Sequence, residues 1–207
     1  MKKILSIVSS VKGKDSFSIK LSNAVIEKIS SIYPGSIVHT NNLTKSPFPH
    51  FEEAHLESFN TPAGERTTGH KEAIKHSDKA IKEIMEADIL VIGVPMYNFS
   101  IPSTLKSWID HIVRAGVTYS YTKGSPEGLV TNKKVYLAIS SGGVYSEGQM
   151  KSYDFTESYL RTVLGFIGMN DIEVFRVEGM FQPGLTDTAW PTALERVNNY
   201  EFEAEQV

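Results

Sequence analysis

The chain contains no cysteine. Disulfides, thiolate nucleophiles and thiolate-ligated metals are therefore excluded, and the composition suits a reducing cytoplasm. No apolar run approaches the roughly 20 residues of a membrane span. After Met1-Lys2-Lys3 an apolar run at 4–8 is too short for a signal-peptide core, and Lys12 and Lys14 stand where a cleavage site would be needed. Strong charge of one sign is also missing. A net charge of −3 leaves no footprint for nucleic acid or an anionic membrane. Neither G-x-G-x-x-G nor G-x-x-x-x-G-K-[ST] occurs, so a dinucleotide pyrophosphate or an ATP-type phosphate is poorly supported. Val94-Pro95-Met96 puts no acid after the third strand, as a phospho-receiver would require. The histidines at 39, 50, 55, 70, 76 and 111 are scattered. His50 and His55, beside Glu52, Glu53 and Glu57, read as solvated surface rather than a metal site, and Asp110 and His111 read as helix surface. With neither a nucleophile nor a metal, the hard chemistry has to come from a bound cofactor.

What is present centres on residues 89–110. Ile89-Leu90-Val91-Ile92-Gly93-Val94 reads as a strand buried on both faces. Leu105, Trp108, Ile109, Ile112 and Val113 follow at helical spacing. Between them Pro95-Met96-Tyr97-Asn98-Phe99-Ser100-Ile101-Pro102 forms a loop with two aromatics and an amide, fenced by prolines. Four further strands are predicted at 4–8, 36–40, 134–139 and 172–177. Helices are predicted over 17–32, 73–85, 155–167 and 186–200, the first stopped by Tyr33-Pro34-Gly35. The stretch 41–69 lacks a sustained period and reads as a long covering loop, with a short helix near 52–57. Residues 117–130 read as an excursion or hairpin. With 207 residues, the chain is expected to form one α/β domain over 1–207. Its doubly wound, five-stranded parallel sheet takes the order 2-1-3-4-5 with helices on both faces.

In such a sheet the loops after strands one, three and four share one edge, where ligands bind. The first loop offers Ser9, Ser10, Ser16 and Ser18 around a helix start, whose free N–H groups attract an anion. Ser16 can equally be a plain helix cap. The second offers Tyr97, Asn98 and Phe99 as a wall for a planar heterocycle or, alternatively, as core packing. The third offers Gly142-Gly143, where backbone can approach a ligand or simply turn.

These residues resemble the FMN-dependent NAD(P)H azoreductases of bacteria, also described as FMN-dependent NADH:quinone oxidoreductases. The most specific part is Pro95-Met96-Tyr97-Asn98-Phe99 with Leu105-Lys106. Arg114-Ala115-Gly116-Val117-Thr118 comes second, with Tyr121-Thr122 and Pro126-Glu127-Gly128-Leu129-Val130 after it, and Leu164-Gly165-Phe166-Ile167-Gly168 completes the set. The resemblance implies a flavodoxin-like fold, a homodimer with active sites at the interface, and one non-covalent FMN per subunit. NADH or NADPH would be the donor, and quinones or aromatic azo compounds the acceptors. It implies that Ser10, Ser16, Phe17 and Ser18 hold the ribityl phosphate. Met96, Tyr97, Asn98 and Phe99 would hold the isoalloxazine, and Ser140, Ser141, Gly142 and Gly143 its other edge. Tyr121 and Phe166 match positions supplied by the partner subunit, flanking the ring, and Tyr145 lies near the substrate. Many relatives have an arginine in place of Ser141, and some a histidine in place of Tyr145. Neutral donors are roughly half as strong as charged ones, which bears on flavin potential and acceptor preference. The alternative is a flavodoxin-like electron carrier with no small-molecule substrate of its own; the mild charge and the stretches 41–69 and 117–130 weigh against it.

Overall fold

The apolar run at 89–94 is the central strand of a five-stranded parallel sheet. The computed structural model describes residues 1–121 and 124–202, so Thr122, part of one quoted motif, lies outside them. Strands β1 (Lys3–Val8), β2 (Ile37–Asn42) and β3 (Ile89–Pro95) precede a hairpin of β4 (Tyr119–Ser120) and β5 (Glu127–Gly128), and β6 (Lys134–Ser140) and β7 (Asp171–Val177) follow. The helices are α1 (Phe17–Ile32), α2 (Glu53–Asn60), α3 (Thr68–Glu86), α4 (Ser103–Ile112), α5 (Phe155–Phe166) and α6 (Thr186–Asn199). The large sheet runs β2-β1-β3-β6-β7 with every neighbour parallel. That is the expected order, with β6 and β7 as its fourth and fifth strands.

Every residue of β3 is buried, and its side chains alternate between two cores. Ile89 and Val91 join Leu21, Val25 and Ile29 of α1 and Ala193 and Val197 of α6. Leu90, Ile92 and Val94 join Ile84 of α3, Trp108 of α4 and Leu160 of α5. A strand covered on both faces needs no polar side, which is why its sequence reads as one apolar run. From β1 the chain moves outward to β2 and then returns past β1 to β3. The loops after β1 and β3 therefore diverge, opening a crevice at the carboxyl edge of the sheet.

Three expectations change in the structure. The edge strand β2 runs Ile37–Asn42, one residue later at its start and two at its end. Within 41–69 the short helix is α2, with a 3₁₀ turn at Ala63–Glu65 after it. The third change concerns His55 and His111, expected on the surface, which are both buried at 7% and 0% exposure. Phe48, Phe51 and α2 lie over α4, and the His111 ring sits 4.8 Å from His55 and 5.4 Å from Phe48. The His111 Nε2 lies 3.1 Å from the Pro49 carbonyl. Burial pushes the His111 pKa down, against the opposing pull of that carbonyl.

The excursion is an antiparallel pairing of Tyr119 with Gly128 and Ser120 with Glu127. A Cβ on Gly128 would stand 2.2 Å from the Gly168 backbone nitrogen, and Gly168 itself has φ +110°. Glycine at both places lets the hairpin lie backbone to backbone on the turn that ends α5.

Candidate cofactor-binding site

The loop after β1 brings four serines inward. Ser9, Ser10, Ser16 and Ser18 are each 2% exposed or less. Ser9 Oγ donates to the Gly93 carbonyl at 2.7 Å, fixing this loop to β3. Ser16 occupies the N-cap position of α1 with extended backbone, but its hydroxyl caps nothing. It lies instead 3.0 Å from Ser18 Oγ. No acidic residue stands in the first turn of α1, and among the described residues no side chain accepts from its leading N–H groups. An N-terminus whose first turn carries no carboxylate is suited to an anion, although Asp15 stands just before the cap. Ser10 reaches toward the second loop, its Oγ 3.5 Å from the Tyr97 hydroxyl.

The second loop follows β3 directly. Met96 N–H donates to the Ser140 carbonyl at 2.8 Å, still in step with β6. Tyr97 and Ser100 then exchange both backbone hydrogen bonds, at 2.9 and 3.1 Å. Between them Asn98 and Phe99 have φ of +50° and +68°, the paired positive values that a type I′ turn demands. Asparagine tolerates this region, but for phenylalanine it costs about 1–2 kcal/mol. Asn98 is exposed and Phe99 is 43% exposed, so the turn is a presented feature and not core. Among the described residues no acceptor meets the N–H groups of Asn98 or Phe99. Strain of this kind collects at binding sites.

The third loop follows β6 and ties several of its polar groups into the protein. Ser141 N–H donates to the Val177 carbonyl at 2.9 Å, and Ser141 Oγ to the Gly143 carbonyl at 2.8 Å. Tyr145 and Ser146 N–H groups both donate to Glu178, at 2.9 and 3.1 Å. Glu178 is held in turn by Arg176, which also pairs with Asp154 and Glu157 at the start of α5. Burial works against the Arg176 charge, but the hydrogen bonds it donates to Glu157 and Asp154 outweigh this and hold its pKa above the ordinary value. A Cβ on Gly142 would stand 2.7 Å from the Phe181 ring.

These loops enclose one cleft of about 310 Å³. Ser10, Ser16 and Phe17 line one side; Met96 and Tyr97 the second; Ser140, Ser141 and Gly142 the third. Ser18, Asn98, Phe99 and Gly143 stand beside these residues on the same loops without lining the cleft. The cleft also takes in Lys12, Asp15, Met180 and Phe181, which sequence reasoning missed. The last two come from the loop after β7, where Gly179-Met180-Phe181-Gln182-Pro183-Gly184 has an aromatic between glycines at a fourth strand end. Tyr145 packs edge-on to Phe99 at 6.1 Å, outside the cleft. Tyr121 and Phe166 are not brought to it within one chain. Both sit against Tyr119, at 5.6 and 4.6 Å, and Tyr121 is 60% exposed. Among the described residues no cluster of three or more histidines and carboxylates is arranged to hold a metal, and no helix is long and apolar enough to cross a membrane.

The donor set matches a phosphorylated flavin. Helix N–H groups and buried hydroxyls at α1 suit a phosphate, the exposed N–H groups of the strained turn beside the cleft suit ring heteroatoms, and Gly142 lets the Phe181 ring close over the third loop. Comparison with known proteins agrees in fold and length. An FMN-dependent NADH:quinone oxidoreductase of Herminiimonas arsenicoxydans is 48% identical over 180 residues, 87% of this chain and 88% of that protein. One from Beijerinckia indica is 41% identical over 95% of this chain and 98% of its own. The crystal structure of an azoreductase from Bacillus anthracis superposes with a TM-score of 0.88 at 30% identity, covering 95% of this chain and 97% of that one. A family model described as flavodoxin-like fold matches residues 2–200, and the chain belongs to that family.

Proposed function

We propose that this protein is an FMN-dependent oxidoreductase that passes two electrons from NAD(P)H to quinones and aromatic azo compounds. The observation that carries this reading is the convergence of three loops on a single cleft, with helix donors on one side and Met96 and Tyr97, which lead into a strained turn, on another. Relatives bearing the quinone oxidoreductase name over nearly the whole chain support it. Ser10, Ser16, Phe17 and Ser18 hold the ribityl phosphate. Met96, Tyr97, Asn98 and Phe99 orient the isoalloxazine through peptide donors and the Asn98 amide. Ser140, Ser141, Gly142 and Gly143 present a close backbone surface along the other edge. When bound, FMN supplies the hydride chemistry, and donor and acceptor use one slot in turn, which gives ping-pong kinetics. A second copy of the chain supplies Tyr121 and Phe166. The exposure of Tyr121 beside the β4–β5 hairpin supports this, since a single chain leaves that ring in solvent. The absence of cysteine suits a cytoplasmic enzyme.

One experiment separates this reading from an electron carrier. The purified protein is expected to be yellow and to bleach when NADH or NADPH is added anaerobically. A quinone or methyl red should restore the colour and support steady turnover. A colourless protein, or a yellow one that neither nucleotide bleaches, defeats the oxidoreductase reading. Initial-rate lines that intersect instead of running parallel defeat the shared slot.

A further inference from the structure

We infer that Phe181, backed by Lys12, is a fourth wall of the cofactor cleft and a determinant of how long FMN stays bound. The inference rests on the flavin reading above. Phe181 is 78% exposed, yet it lines the cleft. Its ring edge lies over Gly142, where a Cβ would come within 2.7 Å. Lys12 Nζ sits 5.4 Å from the ring centroid, within cation–π range. The ring therefore spans the opening between the loop after β1 and the loop after β6.

This wall is preformed. Phe181 N–H donates to the Gly142 carbonyl at 2.9 Å and Gly179 N–H to the Gly143 carbonyl at 3.2 Å. Gln182 N–H closes a turn onto Gly179 at 3.0 Å. Gly179 has φ +78°, so the sharp departure from β7 falls on a residue that adopts it without strain. An exposed phenylalanine fixed by its backbone contributes little to folding. Its apolar face is gained by whatever fills the cleft, at no ordering cost to the segment. Lys12, whose backbone N–H donates to Ser10 Oγ at 3.3 Å, brings a cation to the cleft on the loop that carries the buried serines.

The test follows FMN release from the purified holoprotein by the rise of flavin fluorescence on dilution. Phe181→Ala should raise the dissociation constant about tenfold, equivalent to about 1.4 kcal/mol. Phe181→Leu, which keeps an apolar wall, should fall between that variant and the parent. Riboflavin should be weakened by a similar factor in Phe181→Ala, since the ring acts on apolar surface. Lys12→Met should weaken FMN more than riboflavin, and less so at high salt. Far-UV circular dichroism controls for folding, which an exposed residue should not disturb. An FMN constant for Phe181→Ala within twofold of the parent overturns the inference while leaving the flavin reading intact. A parent protein that binds no flavin overturns both.

Discussion

The loops after β3 and β6 face each other across one cleft, and they handle their polar groups in opposite ways. At 95–102 the turn holds two residues at positive φ and leaves the Asn98 and Phe99 N–H groups without a protein acceptor. At 140–146 Ser141 satisfies both its N–H and its hydroxyl within the protein and the Tyr145 and Ser146 N–H groups end on Glu178, while among the described residues no acceptor meets the Gly142 or Gly143 N–H. Exposed donors are hydrated, and a ligand that displaces this water has to accept from them in its place. The first loop presents its donors outward at the turn, and the second ties Ser141 and the donors at 145 and 146 into the protein. On the flavin reading proposed above, Asn98 and Phe99 would recognise the ring and the loop at 140–146 would serve as a surface beside it. The contrast also bears on Ser141. Its hydroxyl proton is already directed to the Gly143 carbonyl.

The largest effect is expected where the rigid loop is anchored. The Arg176 side chain is 8% exposed and faces the carboxylates of Asp154, Glu157 and Glu178. Removing one partner of a buried ionic cluster costs about 3–5 kcal/mol, because the remaining charges stay desolvated. Arg176→Met should lose stability of that order in urea unfolding, and the loop at 140–146 should loosen with it. The pH dependence supplies a second readout. Burial raises the Glu157 pKa, but hydrogen bonds from Arg176 and Arg161 overcome this and hold it below the ordinary value. A carboxylate depressed by folding stabilises above its unfolded pKa, about 4.3–4.5, and that stability disappears as pH falls through the folded value. In Arg176→Met this acid-side loss should shrink. A variant as stable as the parent would show that the loop is not held by this cluster.

A smaller effect, seen in binding more than in stability, is expected at the turn. Asn98→Ala removes the amide but also forces alanine to φ +50°. It should weaken FMN up to about tenfold, the scale of one neutral hydrogen bond, and lose about 1 kcal/mol of stability to backbone strain. Asn98→Gly separates the two, because glycine adopts that φ freely. Its stability should stay near the parent's while FMN binding stays weak. If Asn98→Gly binds FMN as the parent does, the amide has no part in recognition and the contrast rests on backbone donors alone.

How far the sequence discloses this arrangement depends on how each segment is stabilised. β3 is legible because burial on both faces leaves an uninterrupted apolar run. The turn is visible as a loop between prolines, but its paired positive φ is not, since Phe99 is a residue that local preference would keep out of that region. Arg176 reads as an ordinary polar residue in a half-buried strand; only the Asp154-to-Glu157 spacing, which places a cap at the start of α5, hints at its partners. His111 lies off the apolar stripe of α4, and periodicity registers one buried face. Its second cover comes from Phe48, Phe51 and α2, a helix so short and polar that a capping box of Glu52 and His55 and its packing on α3 must sustain it. Met180 and Phe181 escape because the loop after the last strand has no motif beyond an aromatic among glycines.

The smallest effect bears most directly on the contrast. Ser141→Ala deletes a hydroxyl whose hydrogen bond, 2.8 Å to the Gly143 carbonyl, stays within its own loop. The carbonyl it leaves also accepts from the Gly179 N–H at 3.2 Å, so it is not stranded. The stability loss should lie at the low end for a hydrogen bond, about 0.5 kcal/mol. FMN binding should stay within twofold of the parent, because the hydroxyl is already directed inward. Ser141→Arg tests the converse. It places a cation at the cleft edge, where charge-assisted donation is about twice as strong as a neutral bond. The flavin midpoint potential should then rise while the Ser141→Ala potential does not move. A Ser141→Ala variant with a shifted potential would mean that the serine turns its proton to the flavin on binding, and the loop at 140–146 would then be as incomplete as the turn it faces.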